Sequence, residues 1–166
     1  MVETDAVLLN HGQAPFVERE GDAGETDMWP GHVLAFDGAG DYIKSADEAG
    51  VGHGIVLGRP FAPGLAKGED ATDGTVGERL RALHIPLGGR IDGRLAAGGD
   101  LTSPGDANVA EGDLLKEVNE GALAAHSVDT SNDPDGALYM ALEAVDNSGA
   151  GAGVENQTHI EAVRIA

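Results

Sequence analysis

The stretch Gly136-Ala-Leu-Tyr-Met-Ala-Leu-Glu-Ala-Val145 decides which fold class the sequence favours, and the glycine-rich run Asp146-Asn-Ser-Gly-Ala-Gly-Ala-Gly153 follows it directly. Alanine, leucine, methionine and glutamate are good helix formers, so intrinsic propensity favours a helix here. The stretch is short, however, and its apolar residues do not repeat along one helical face. The surrounding sequence therefore has to decide between a short helix and a strand.

Turn-forming residues interrupt the whole chain at short intervals, because 26 glycines and 7 prolines occur among its 166 residues. No segment keeps a helical apolar period over several turns. Short strands separated by Gly, Asp and Asn clusters are typical of an all-β sandwich or barrel. The predicted strands are Ala6–Leu9, Val33–Phe36, Asp41–Lys44, Gly54–Leu57, Arg79–Ile85, Asp113–Val118, Leu123–Ala125, Leu138–Glu143 and Ile160–Ile165.

Two segments of the chain, residues 31–61 and 112–145, resemble each other. Each reads as a glycine, a strand, a tight turn with glycine, a second strand, an acidic loop and a third strand. In this comparison residues 138–143 take the place of Gly54-Ile-Val-Leu57, whose β-branched pair favours a strand. We therefore predict that the opening stretch is a strand. Either two similar β units are joined by residues 62–111, or the resemblance is due to chance.

Residues 1–30 differ from the rest of the chain. They carry few strand signals after Leu9, and the run Glu18-Arg-Glu-Gly-Asp-Ala-Gly-Glu-Thr-Asp27 is acidic and glycine-rich. We predict an N-terminal arm or extended loop over 1–30, followed by a β-rich domain over 31–166. The single tryptophan, Trp29, either packs on this domain or anchors a partner.

The formal net charge of −19 comes from 29 acidic and only 10 basic residues. Phosphate contacts need a basic face, so this balance argues against binding to nucleic acid or to an anionic membrane. The acidic residues are spread along the chain rather than gathered in a tail. Dense surface carboxylates with few lysines, much alanine and glycine and no cysteine are typical of adaptation to high salt. We therefore predict a halophilic host.

The apolar material for a core is limited, because hydrophobic residues make up 41% of the chain and 25 of them are alanine. We expect a domain of moderate stability that relies on partners or salt. The absence of cysteine excludes disulfides and thiolate chemistry. No apolar run is long enough to span a bilayer. The first residues lack the pattern of a secretory signal, so a soluble protein is expected.

No constellation of residues in the sequence predicts an enzyme. The six histidines lie far apart, and each is expected at the surface or in a turn. Phosphate-loop and nucleophile-elbow motifs are absent, and Gly50-Val-Gly-His-Gly54 matches a nucleotide loop only superficially. The run Asp129–Gly136, and Asp37 with Asp41, could each ligate a hard cation, but ordinary polar turns are the favoured reading. We predict no catalytic, cofactor-binding or metal-ligating residue and no cofactor.

Several phrases in the second half of the chain form a recognisable series: Gly98-Gly-Asp-Leu-Thr-Ser103, Ala110-Glu-Gly-Asp-Leu-Leu115, Gly121-Ala-Leu-Ala124, Gly136–Val145 and Ile160-Glu-Ala-Val-Arg-Ile165. Their order is a Gly-Asp-apolar strand, a glycine turn, a strand, an Ala-Leu-Glu-Ala strand and a final apolar strand. This series resembles the capsid (head) decoration proteins of tailed viruses. Together with the halophilic composition, the resemblance is to those of a haloarchaeal tailed virus.

The resemblance implies a small β-barrel or β-tulip-like domain with an extended N-terminal arm, assembling as a homotrimer. Such trimers would lie on the outer capsid surface of the virion, clamp neighbouring copies of the major capsid protein and resist the pressure of packaged DNA. The apolar triplet of the arm could add a strand to a sheet edge of the capsid protein. The candidate capsid contacts are Val7, Leu8, Leu9, Phe16 and Trp29.

Other functions stay open at this point. One alternative is another minor head protein, such as a turret or fiber base. A second is a cation-dependent binding module of a halophile, although aromatic residues for a carbohydrate platform make up only 4% of the chain. A third is a small hydrolase that uses a carboxylate pair, although no nucleophile, phosphate loop or metal spacing accompanies one.

We predict that folding depends on salt. At low ionic strength the charge of −19 repels itself, whereas at about 1 M salt the Debye length falls to about 3 Å and the repulsion is screened. The melting temperature should therefore rise from low to molar KCl. A melting temperature that stays flat across this range would contradict the prediction.

Overall fold

Strands dominate the computed structural model, which describes residues 17–45, 54–58, 72, 75–126 and 137–165. None of these residues belongs to a helix long and apolar enough to cross a membrane. Short 3-10 helices cover Gly98–Asp100, Pro104–Ala107, Asn119–Gly121 and Val154–Asn156. The strands are β1 (Val17–Asp22), β2 (Val33–Phe36), β3 (Tyr42–Lys44), β4 (Gly54–Gly58), β5 (Arg79–His84), β6 (Arg90–Leu95), β7 (Asn108–Val109), β8 (Leu114–Val118), β9 (Ala122–Ala125), β10 (Ala137–Ala141), β11 (Val145–Asp146) and β12 (Thr158–Arg164).

The strand β10 settles the question raised by the stretch 136–145. It pairs with β12 on one side and with β8 on the other, so the neighbouring strands take up its backbone hydrogen bonds. Leu138, Tyr139 and Ala141 are buried, and this packing overrides their helical propensity. The predicted strand is present, and the prediction of an all-β fold built on a small barrel is confirmed.

Four strands were not predicted, the six-residue strands β1 and β6 and the two-residue strands β7 and β11. In β1, four exposed residues begin the strand, and Glu18 forms an ion pair with Arg81 of β5 at 2.6 Å. The acidic composition therefore reflects an edge strand that is exposed along most of its length, in a segment where the sequence indicated an arm. In β6, the run Arg90-Ile-Asp-Gly-Arg-Leu95 carries buried charged residues, which hide the alternation of a strand.

Most of the strands form two structures with the same strand order. The first sheet has the order β1-β5-β4-β2-β3, and the second closes as a barrel, β10-β12-β6-β9-β8, which can be read as β6-β12-β10-β8-β9. Strands that are neighbours in these two orders pair antiparallel. In each structure one parallel contact joins the first and the last strand of the order. It pairs Leu95 with Leu123 in the barrel, and Ala23, directly after β1, with Tyr42 in the first sheet. The short ladder β7-β11 belongs to neither.

The pairing registers assign each residue of the first sheet an equivalent in the barrel. The phrases Arg79-Leu-Arg-Ala-Leu-His-Ile85 and His159-Ile-Glu-Ala-Val-Arg-Ile165 match position by position, with their small and apolar residues at the same places. The ion pair of Glu18 with Arg81 has its equivalent in Arg90 with Glu161, at 3.2 Å and with the charges exchanged.

Glycines with positive φ recur at equivalent turns of the two structures. Gly31 precedes β2 with φ +93°, and Gly112 precedes β8 with φ +90°. Gly40 lies in the β2–β3 turn with φ +96°, and Gly121 lies in the β8–β9 turn with φ +68°. Glycine tolerates this region of backbone conformation better than other residues, so the two units share their turn chemistry as well as their pairing.

The interior of each unit is filled from the same six positions. In the first sheet these positions hold Ala23, Leu34, Tyr42, Val56, Leu80 and Ala82, and in the barrel they hold Leu95, Leu115, Leu123, Ala141, Ile160 and Ala162, all buried. The large aromatic residue sits on different strands. Tyr42 of β3 packs on Gly21 of β1 in the first sheet, and its equivalent, Leu123 of β9, lies against Gly93 of β6 in the barrel. The tyrosine of the barrel, Tyr139 of β10, occupies the position equivalent to Gly54 of β4.

The outer face of the first sheet packs against the barrel. Its apolar residues Val33, Ile55, Leu83 and Ile85 are at most 5% exposed and belong to the same hydrophobic cluster as the barrel interior. The two units therefore share one continuous core, and the residues of the first sheet complete the apolar surroundings of the barrel.

Close strand packing at Gly54 predicts a specific loss of stability. A Cβ atom there would lie 2.8 Å from the carbonyl oxygen of Leu83 on β5, so Gly54→Ala should push β4 and β5 apart. We expect the free energy of unfolding in molar KCl to fall by about 1–3 kcal/mol. Gly38→Ala is the matched control, because no atom lies within 4 Å of its Cβ position. Equal unfolding free energies for the two variants would contradict this packing.

Candidate interaction surfaces

Backbone and side chains at the turn between β8 and β9 meet the outer face of the first sheet. Gly121 donates its N–H to the carbonyl of Ser45 at 3.1 Å, and a Cβ on Gly121 would lie 2.8 Å from the carbonyl oxygen of Val33. Ser45 Oγ hydrogen-bonds the buried carboxylate of Glu117. The end of the barrel thus contacts the first sheet closely, at a point where only glycine fits.

A buried arginine of β6 lies at the same contact between the first sheet and the end of the barrel, which we call the junction. Arg94 is 3% exposed, and its Nε donates to the carbonyl of Pro30 at 3.0 Å. Its guanidinium lies 4.8 Å from the ring centroid of Trp29, a geometry that favours a cation–π contact. Burial lowers the pKa of Arg94 to about 10, partly offset by the nearby carboxylate of Asp92. Arg94 therefore stays charged at neutral pH.

The junction also contains a buried histidine. His32 is fully buried, and its Nε2 lies 2.9 Å from Oε1 of Gln157 in the barrel. The backbone N–H of Trp29 donates to Nδ1 of His32 at 3.2 Å, which leaves Nε2 as the nitrogen that carries a proton toward Gln157. The expectation that every histidine lies at the surface or in a turn is therefore wrong for His32, because the junction supplies partners for both ring nitrogens.

One end of the first sheet carries aromatic side chains. Phe36 stacks on Tyr42 with ring centroids 4.9 Å apart, and the Tyr42 hydroxyl lies 3.2 Å from Nε2 of His84. Phe36 is 37% exposed and Val17, which pairs with His84, is 52% exposed. This end of the first sheet is equivalent to the end of the barrel that forms the junction. In the first sheet it is a partly exposed surface with aromatic side chains.

A second, partly exposed apolar surface lies on the outside of the barrel, and we call it the barrel face. It consists of residues on three adjacent strands, since Leu114 of β8 pairs with Met140 of β10, which pairs with Val163 of β12. These three are half-buried, and Ile165, which follows β12, is 42% exposed. Adjacent apolar side chains on one sheet face are characteristic of contact surfaces.

The residues predicted as capsid contacts are only partly described. Val7, Leu8, Leu9 and Phe16 lie outside the described residues. Trp29 is half-buried at the junction, with one ring face against Arg94. Its role in partner binding stays a prediction.

The candidate cation sites have different outcomes. Oδ1 of Asp37 accepts backbone N–H groups from Ala39, Gly40 and Asp41 at 2.7–2.9 Å, and these hydrogen bonds, that from Asp41 foremost, lower the pKa of Asp37. The group therefore caps a turn. The run 129–136 lies outside the described residues. Within the described part of the chain, no group of three or more His, Asp or Glu side chains is arranged to hold a metal ion.

The fold of the chain is similar to that of a known virion component, although no protein-family model and no curated protein matches the sequence. The solved structure is the N base of head fiber gp8.5 in bacteriophage phi29. It matches with a TM-score of 0.51 and 15% sequence identity, over 92% of this chain and 95% of that chain. At this identity the likeness is one of fold, and it extends over both units.

The buried arginine of the junction can be tested against an exposed one. Arg94→Ala would leave the carbonyl of Pro30 without its donor, and we expect a loss of about 1–3 kcal/mol in the free energy of unfolding. Arg79→Ala, which removes ion pairs at a side chain 54% exposed, should cost less than about 1 kcal/mol.

The single tryptophan reports on the same site. Because Trp29 packs on Arg94, its fluorescence emission should shift to the red in Arg94→Ala and stay unchanged in Arg79→Ala. Unshifted emission in Arg94→Ala, or equal stability of the two variants, would argue against this description of the junction.

Proposed function

We propose that the protein is a structural virion protein that decorates and stabilises the outer surface of an icosahedral capsid. In this proposal it binds the major capsid protein as trimers, in a tailed virus of a halophilic archaeon. The observation that carries the proposal is the likeness in fold to the base of a phage head fiber over 92% of this chain. Because both units share this likeness, it concerns the arrangement as a whole and not a single small barrel.

The chemistry of the described residues supports a binding role rather than catalysis. Buried polar groups such as Arg94, His32 and Glu117 contact other parts of the chain at the junction. The exposed apolar surfaces at Phe36 and at the barrel face are suited to protein contacts. A net charge of −19 suits a surface exposed to brine. We include Val7, Leu8, Leu9, Phe16 and Trp29 in the proposal as contacts to the capsid protein.

A second candidate follows from the same likeness: the base of a head fiber or another minor head protein. Both candidates place the chain on the capsid, but they differ in copy number. A decoration protein should nearly match the major capsid protein in copies, whereas a fiber or turret base should occupy a small set of sites.

Binding to capsid shells tests the proposal. Purified protein in molar KCl should bind emptied shells of the virus that encodes it and raise the temperature at which they open, because clamped capsid proteins separate less readily. Electron microscopy and gel densitometry would give the copies per major capsid protein. A variant that lacks residues 1–15 should bind more weakly if the arm contributes contacts. Shells that neither bind nor gain stability would refute the capsid role, and a low, fixed copy number would favour the fiber base.

A further inference from the structure

The barrel face corresponds, position by position, to the surface that the first sheet buries against the barrel. Val33, Ile55, Leu83 and Ile85 are the buried set in the first sheet, and Leu114, Met140, Val163 and Ile165 are their equivalents. The first set is at most 5% exposed, whereas the second is half-buried or exposed. The barrel thus presents an apolar surface of the same design that nothing in the chain's described residues covers to the same degree.

The complementary surface is also present, and its Phe36 is 37% exposed. The end of the barrel that contacts the first sheet includes Glu117 and Gly121, whose equivalents in the first sheet are Phe36 and Gly40. Gly121 is tightly packed against Val33, but no atom lies within 4 Å of a Cβ on Gly40. Both glycines have positive φ, so the Gly40 turn has the conformation that fits such a contact.

We propose that the aromatic end of the first sheet in one copy of this chain packs on the barrel face of a second copy, repeating between chains the contact that joins the two units within one chain. The inference deepens the proposed function and rests on it, because it names the surfaces through which the proposed trimer forms. The contact is heterologous, so successive copies join head to tail and must close into a ring to give a discrete oligomer.

The side chains at the repeated contact suit an interface between chains. Within the chain, Ser45 meets the carboxylate of Glu117. The equivalent pair between chains is His126 with Phe36, which places an aromatic ring where the intrachain contact has a charge. Ala125 and Ala39 replace the ion pair of Lys44 with Glu120. The interchain contact therefore buries apolar side chains and needs no carboxylate, which favours association in a chain with a net charge of −19.

Two variants and a matched control test these surfaces through the mass in solution, measured by light scattering in molar KCl. Met140→Lys places a charge on the barrel face, and Phe36→Lys places one on the aromatic end. Thr102→Lys makes the same change in charge at an exposed residue of the segment between β6 and β7. Wild type and Thr102→Lys should have about three times the chain mass of 16.9 kDa. Each of the other two variants should be a monomer, with at least about a 100-fold weaker association, and should still unfold in one cooperative transition.

Mixing the two association-defective variants separates this arrangement from others. Phe36→Lys keeps an intact barrel face, and Met140→Lys keeps an intact aromatic end, so an equimolar mixture should form a dimer with one intact contact and grow no further. An interface that uses the same surface on both chains would give no such recovery. A mixture that stays monomeric, or single variants that keep the wild-type mass, would overturn the inference.

Three further outcomes are distinguishable. If residues 1–16 cover the barrel face, wild type should be a monomer and a variant that lacks them should associate, which would overturn the inference for the intact chain. Shell binding by a wild-type trimer whose mass Met140→Lys leaves unchanged would refute this interface and support the proposed function. A trimer that Met140→Lys dissociates but that binds no shells would support the interface and refute the capsid role.

Discussion

The packing of the first sheet's outer face on the barrel is the constraint on which the rest of the structure depends. Each unit has a small interior filled partly by alanine, and domains of this size bury too little surface for a comfortable margin of stability. The four outer residues of the first sheet enter the same cluster as the barrel interior. Full burial of a Val, Leu or Ile side chain contributes about 1.5–3 kcal/mol, so this shared cluster is a large part of what two Ala-rich units can gain.

Polar groups at the junction fix how the two units meet. A purely apolar contact would tolerate sliding, whereas His32 with Gln157 and Arg94 with the carbonyl of Pro30 require one relative position. Buried hydrogen-bonded groups of this kind favour a single arrangement, because any shift leaves a donor or acceptor unpaired. The contact of Gly121 with the Val33 carbonyl acts in the same direction through shape. Hydrogen bonds and close packing thus fix the relative position of the two units, and apolar burial stabilises their contact.

The sequence predicts the fold class well and the junction poorly. Turn glycines and short apolar runs identified β2, β4 and β8, since β2 and β4 are short buried apolar segments and the first four residues of β8 alternate between half-buried and buried. The edge strand β1 was missed because its residues are mostly charged, and β6 because Asp92 and Arg94 are buried. Buried polar residues look like surface residues in a sequence, and only the arrangement of the other unit supplies their partners. The likeness of Gly31 to Gly112 and of Gly40 to Gly121 was the one local signal of the junction, because it aligned the two units.

The exchanged charges of the two equivalent ion pairs bear on how a chain with two similar units avoids folding incorrectly. If β6 replaced β1 beside β5, Arg90 would face Arg81, and if β1 replaced β6 beside β12, Glu18 would face Glu161. The tyrosines act similarly, because β3 paired into the barrel would add Tyr42 to an interior that already holds Tyr139. In the reverse exchange, β9 paired into the first sheet would put the smaller Leu123 where Tyr42 packs on Gly21 and leave space. Tandem repeats with like sequences are prone to strand exchange, and repulsion or poor filling in the wrong pairing is the usual protection. The differences in charge and side-chain volume between the two units therefore disfavour incorrect strand pairing during folding.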